Sequence, residues 1–460
     1  MENRLLILLF LLVIISTILG TTVWGNKNQI TSSPIETCTG NNVKVAYPSE
    51  GDPLGGYFFG WSVFMFGDIL AVGSYGADTA DYGGSAYVYT DGNYDSVPIK
   101  LANPSTGPPL QEYFFGISLS IEENILVVGS SGANQDGTSA SDRSGIVYIY
   151  LNGNYESAPT KIAVPGTGPP VGFYYFGSSV SISGDTLAVG AYGANQDGTS
   201  AANFSGSVYV YTNGNYTSTP TKVANPSTGA PQANYYFGIC VSISGDTLAV
   251  GASGANQNGT GTANNSGAVY VYTNGNYSSA PIKAGNPSTG APQTSYYFGN
   301  VVSISGDTLA VGAFGANQDG ISSANNSGIV YVYTNGNYAS TPIKVANPTT
   351  GPPQASYRFG AAVSVSGDTL AVGAIWANQD GFSGFDRSGL AYIYKNGDYE
   401  SPPIRVPDVT EFPPIGGYLF GLSVSVSGYK LAVGAPGQTT TGEGTSDDAG
   451  GAYVYPCIGF

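Results

Sequence analysis

The chain has no histidine, three cysteines and two methionines in 460 residues, and only 10 % of it is charged. Without histidine there is no Ser-His-Asp or Cys-His nucleophile, and most zinc and iron sites lose a common ligand. Three cysteines are too few for a thiolate cluster. Lys and Arg number 14 against 30 Asp and Glu, giving a formal net charge of −16. Such a chain offers no basic face to neutralise phosphates, so nucleic acid is not expected as a partner. No stretch shows a helical period with caps at its ends. These absences predict no catalytic residues, no metal and no cofactor, and the chain is not read as an enzyme.

What is present is turn-forming and strand-forming. There are 67 Gly, 28 Pro and 35 Tyr, with abundant Val, Ile and Ala, a mixture that fits many short strands joined by turns. One long apolar run, Leu5 to Leu19, follows Arg4 and reads as a secretory signal over residues 1–25, with cleavage after Gly20 or Gly25. An uncleaved anchor is the alternative. No second apolar span follows, so no membrane span is expected in the mature chain, which is placed outside the cell or on its surface.

Internal repetition dominates the rest. The pair Phe-Gly recurs at Phe59, Phe115, Phe176, Phe237, Phe298, Phe359 and Phe420, with a first interval of 56 residues and five of 61. The unit at Phe176 divides into four strands. Ser178 to Ser183 and Thr186 to Ala191 alternate with period two around the Gly184-Asp185 hairpin signal. Ser207 to Tyr211 is a third strand, Asn213 to Tyr216 turns the chain, and Thr221 to Ala224 is a fourth. Four antiparallel strands per unit, repeated seven times, predict an all-β, seven-bladed β-propeller. Small residues at one first-strand position, Ser62, Ser118, Ser179, Cys240, Val301, Ala362 and Ser423, suit the crowded axis. Cys240 is therefore expected as a buried, unreactive thiol. The Tyr and Phe before each Phe-Gly glycine are expected in the interblade core.

The seventh unit stops after its third strand, Gly451 to Tyr455, and its missing fourth strand is found at the other end of the chain. Val43-Lys44-Val45-Ala46-Tyr47-Pro48-Ser49 matches Thr221-Lys222-Val223-Ala224-Asn225-Pro226-Ser227. An N-terminal strand over 42–49 should thus complete blade 7 of a propeller spanning 38–460 and leave no open edge. In the same register Cys457 and Cys38 take positions i and i+3 of a reverse turn, close enough for a disulfide. Such a bond would stabilise the fold by about 4–5 kcal/mol in the chain-entropy model and would imply an oxidising compartment. An unpaired or intermolecular cysteine is the alternative.

Phe176-Gly177, Val189-Gly190-Ala191 and the strand Gly206 to Tyr211, with Gly434-Ala435-Pro436 in the seventh unit, resemble FG-GAP repeats, the blades of integrin α-chain propellers. The resemblance covers residues 38–460. It implies a binding or adhesion role on the face that carries the 4–1 and 2–3 loops. One family feature is missing. Calcium-binding integrin blades carry an Asp-x-Asp/Asn-x-Asp-Gly loop between strands 1 and 2, whereas here that loop is Ser183-Gly184-Asp185-Thr186. One carboxylate cannot supply the six to eight oxygens that calcium takes. The 2–3 loops Asn195-Gln196-Asp197-Gly198, with copies at Asp136, Asp319 and Asp380, are read as polar turns, with a weak ion site as the alternative.

Six N-glycosylation sequons, Asn203, Asn215, Asn258, Asn264, Asn276 and Asn325, all fall in blades 3 to 5. Blades 6, 7, 1 and 2 form an arc without them, and their 2–3 loops are the least regular. Trp376, Phe382, Phe385, Asp386 and Arg387 in blade 6, and Asp142 and Arg143 in blade 2, are the candidate ligand-binding residues, because exposed aromatics and arginines anchor interfaces; the alternative is that blades 3 to 5 are near-copies of one unit, sequons included. The acidic Glu443, Asp447 and Asp448 lie in blade 7. The expected partner is an extracellular protein or a glycan. A structural surface glycoprotein, a lectin with one site per blade and a histidine-free hydrolase are the alternatives, in that order.

Overall fold

In a computed structural model of the chain, the described residues are 42–45, 56–77, 82–102, 104, 112–134, 143–165, 172–195, 204–224, 226, 233–256, 265–284, 294–318, 326–346, 348, 355–378, 387–406, 417–438 and 449–458. Residues 40–460 form one compact unit, and 1–39, which include Cys38 and the proposed signal segment, lie outside the described residues.

The described strands form seven four-stranded antiparallel sheets. In blade 3 the strands are Ser179–Ser183, Thr186–Ala191, Ser207–Tyr211 and Thr221–Ala224, each beside the next. Every side chain of Ser207–Tyr211 is buried. Val208 and Val210 join the core shared with blade 4, and Tyr209 and Tyr211 the core shared with blade 2. A strand buried on both faces reads as a continuous Val/Tyr run for that reason. The innermost strands contact one another in order around the ring, and that of blade 7 meets that of blade 1. No helix occurs among the described residues.

Blade 7 is completed from the far end of the chain. Val43–Val45 pairs antiparallel with Ala452–Tyr455, with Val43 opposite Val454 and Val45 opposite Ala452. Val45 is 1 % exposed and packs in the core shared with blade 1. The ring is therefore closed by its N-terminal strand. At Cys38 the expected disulfide lies outside the described residues. Cys457 is not a free thiol, and Cys240 is.

The repeated motifs are the seams between blades. Each Phe of Phe-Gly is fully buried and meets a third-strand Tyr edge-on or steeply tilted, as Phe176 meets Tyr209 at 5.5 Å and Phe237 meets Tyr270 at 5.8 Å between ring centroids. The glycine of Val-Gly-Ala lies under the Phe-Gly carbonyl of the next blade. A Cβ on Gly190 would sit 2.2 Å from the Gly238 oxygen. Inner-strand serines then bridge the seams: Ser179 and Ser181 Oγ accept from the Val241 and Ile243 N–H groups at 2.9 and 3.0 Å. Cys240 occupies the same place, its sulfur 3.3 Å from the Val302 nitrogen, and burial pushes its thiol pKa up. At the seam of blades 1 and 2, Phe64 and Phe66 stand where Ser181 and Ser183 do and pack on the shared core, while Ser62 keeps the Ser179 place and donates to the Gly116 carbonyl at 2.8 Å.

Candidate ligand-binding face

The strand order puts the 4–1 and 2–3 connections of all blades on one face. The opposite face carries short turns. Asn213 and Gly214, for example, take φ of 60° and 64°, the pair of left-handed residues that a tight hairpin turn needs. Asn215 and Asn276 are exposed in these turns. Asn203, Asn258, Asn264 and Asn325 lie outside the described residues.

On the loop face each blade presents three positions: the residue before Phe-Gly, the residue after strand 2, and the residue that leads into strand 3. The first is left-handed in every blade, as in Phe58 (54°), Tyr175 (54°), Tyr297 (55°) and Arg358 (54°). A bulky residue held there costs about 1–2 kcal/mol. Backbone bonds between neighbouring blades hold it: Tyr175 N–H donates to the Arg143 carbonyl at 3.0 Å, and Arg358 N–H to that of Asn326 at 3.0 Å. The conformation turns the side chain away from the core. Tyr174 and Phe176 are buried as expected, but Tyr175 between them stays half-exposed. The expectation that the whole aromatic run is core is thus corrected at its middle residue.

These positions assemble aromatic platforms in alternate blades. Phe58 stacks on Tyr75, Tyr175 on Tyr192 and Tyr297 on Phe314, at 5.0, 4.9 and 4.9 Å and within 1°, 8° and 7° of parallel. Blades 2 and 4 have Ser131 and Ser253 where these second rings stand. Phe114 and Tyr236 close the first two platforms edge-on at 5.8 and 6.1 Å. Trp61 adds a further ring in blade 1, 4.6 Å from Tyr75, and Tyr82 is 41 % exposed. Burial and the neighbouring tyrosines hold the Tyr192 pKa above its ordinary value, so it is a neutral donor.

Of the predicted site residues, Trp376 and Arg387 come together, with the Arg387 guanidinium 4.4 Å from the Trp376 ring centre. Arg143 sits apart, in blade 2. It bonds Tyr175 Oη at 3.2 Å, pairs with Glu112 and stands 6.0 Å from the Phe173 ring centre. These partners raise its pKa further, Tyr175 most. Asp142, Phe382, Phe385 and Asp386 lie outside the described residues, as do Asp136, Asp319, Asp380, Glu443, Asp447 and Asp448. Sequence reasoning missed Phe58, Trp61, Tyr75, Phe114, Tyr192, Phe314 and Arg358. The available signal was the alternation Tyr75, Ser131, Tyr192, Ser253, Phe314 at one repeat position. The platforms also extend into blade 3 and blade 5, beyond the sequon-free arc.

The polar 2–3 loops begin with a buried Asn: Asn134, Asn195, Asn256 and Asn317 are at most 5 % exposed. Asn317 Oδ1 accepts from the Asn326 N–H at 3.2 Å, so this side chain spans its own loop as a polar turn residue does.

Five segments of the chain, residues 49–89, 173–211, 230–272, 292–333 and 353–394, match the FG-GAP repeat family. They fall on blades 1, 3, 4, 5 and 6. No similar curated protein was found. The unmatched blades 2 and 7 have the same four strands and the same buried Phe-Gly as the others, so the whole ring is built from one unit and the chain is an FG-GAP repeat propeller resembling the N-terminal propeller of integrin α-chains.

Proposed function

We propose that this propeller is an extracellular binding module, not an enzyme, and that it takes a protein or glycan on its loop face. The FG-GAP repeats suggest a binding or adhesion-type module, and the sequons and apolar N-terminal run support the extracellular setting. The observation that carries the reading is the set of half-exposed rings held at positive φ on one face. Strain of this kind persists where the surrounding structure over-determines it, and it concentrates at ligand sites. Rings stacked on a rigid scaffold bind with little entropy loss.

The test uses the secreted, glycosylated chain on a glycan array and a cell-surface protein library. Tyr75→Ser and Tyr192→Ser install the residue that blades 2 and 4 already carry, so the fold is preserved. Each is expected to weaken binding by about tenfold, the scale of an interface anchor. Unchanged binding in the double variant overturns the loop face as the site. A chain retained in the cell without glycan at Asn215 and Asn276 overturns the extracellular setting.

A further inference from the structure

Blade 6 departs from the repeat at two positions together. Blades 1 to 5 have glycine at 76, 132, 193, 254 and 315, and blade 6 has Trp376 there; Phe or Tyr precedes Phe-Gly in blades 1 to 5, and Arg358 does in blade 6. The two changes are coupled by space. In blade 3 a Cβ on Gly193 would meet the Phe173 carbonyl at 1.9 Å and the Tyr175 ring at 2.8 Å. In blade 6 no ring takes the place of Tyr175. The Arg358 guanidinium carbon lies 3.3 Å from the Trp376 ring centre and 5.3 Å from that of Phe314.

Two guanidinium groups, Arg358 and Arg387, therefore lie over one indole ring. Cations are scarce in this acidic chain, and gathering two of them costs energy. Burial, and then the charge of Arg387, lower the Arg358 pKa. Cation–π attraction to Trp376 offsets part of this cost. Arg143 differs, because Glu112 neutralises it. Neither Arg358 nor Arg387 has a carboxylate partner among the described residues, and Arg358 Nε is buried without a hydrogen-bond partner. Planar guanidinium groups fit carboxylate and sulfate oxygens in pairs.

Resting on the loop-face reading above, we infer that Arg358 and Arg387, held over Trp376, bind the oxyanion of an acidic polysaccharide. The Tyr297–Phe314 pair beside Arg358 offers a flat apolar surface to the C–H face of a sugar ring. The same ring pair recurs in blades 1 and 3, so separate segments of one long polymer can engage separate platforms and gain by avidity. An acidic peptide would satisfy the arginines but would leave these platforms without a matching repeat.

The test measures binding of heparin oligosaccharides, polygalacturonate oligosaccharides, neutral maltohexaose and polyglutamate to the full secreted chain at low and high salt. At least one acidic oligosaccharide should bind more tightly than polyglutamate and maltohexaose, with affinity falling as salt rises. Heparin carries both sulfate and carboxylate and polygalacturonate only carboxylate, so binding of heparin alone assigns sulfate and binding of both shows that carboxylate suffices. Arg387→Gln, at an exposed position, should weaken binding about tenfold or more. The double variant Arg358→Tyr with Trp376→Gly restores the pattern of blade 3, which folds, and should remove the salt-sensitive part. Tighter binding of polyglutamate, no acidic sugar bound, or no effect of either variant overturns the anion site. If the anion site fails while Tyr75→Ser and Tyr192→Ser still abolish binding of a ligand from the array or library, the loop-face reading stands alone. If those variants also change nothing, both fall.

Discussion

Gly190 and Gly184 belong to the same hairpin of blade 3 and have different work to do. A Cβ on Gly190 would lie 2.2 Å from a carbonyl oxygen of the next blade, and one on Gly184 would meet nothing within 4 Å. Gly184 is needed for its φ of 52° alone. Gly190→Ala should therefore destabilise by about 1–3 kcal/mol or more through overpacking at the seam. Gly184→Ala should cost about 1–2 kcal/mol, from backbone strain. Urea unfolding of the two variants checks the order, and equal midpoints would show that the seam is not close-packed. At this scale much was legible. Phe176-Gly177 and Val189-Gly190-Ala191 repeat because each side of a seam must match the other. The exposure of Tyr175 was not legible. Its neighbours Tyr174 and Phe176 are also aromatic, and no sequence pattern reveals that the middle backbone is left-handed. Arg358 and Trp376 were each visible as departures from the repeat, but their contact depends on the 4–1 and 2–3 connections meeting in space.

At the scale of elements, strands were read closely because period-two alternation and tight turns bound them sharply: Thr186–Ala191, Ser207–Tyr211 and Thr221–Ala224 end where expected. The fourth strand of blade 7 was legible because Val43-Lys44-Val45 has the same pattern as Thr221-Lys222-Val223. Its described length, Val43–Val45, gives it few ladder bonds, so its hold depends on the burial of Val45 against Phe59, Val63 and Val454. Val45→Asp places an unpaired carboxylate in that core, a change that is costly wherever no partner exists. Hydrogen exchange should then rise first at Ala452–Tyr455, with the inner strands of blades 3 and 4 unchanged. Uniform acceleration across all blades would mean that the ring opens as a whole.

For the whole molecule, the dominant titratable group is tyrosine. Burial raises the pKa of Tyr148, Tyr270 and Tyr331, and burial with Asp68 pushes Tyr94 up to about 12. The unfolded chain ionises these groups near pH 10. A folded pKa above the unfolded one means that the native state holds the proton more tightly. The stability it brings is complete below about pH 10 and is lost as pH rises through the folded values. The melting temperature should stay level from about pH 6 to 9 and fall above 10, and a level profile through pH 11 would contradict the burial of these rings. Acid should do less. The two ion pairs among the described residues, Arg143–Glu112 and Lys430–Asp68, are partly exposed and contribute little each.

The closure of blade 7 also sets an order of events during synthesis. Val43–Val45 leaves the ribosome ahead of every other described strand, and its neighbour in the sheet, Ala452–Tyr455, leaves last. Inner blades can stack as they emerge, each on the one before, because their seams join adjacent repeats. The first strand cannot take its place until Ala452–Tyr455 has emerged. At about 5–20 residues per second it waits for tens of seconds, and blade 1 presents an uncovered flank throughout that time. This nascent chain would be a client for chaperones at its beginning, not at its end.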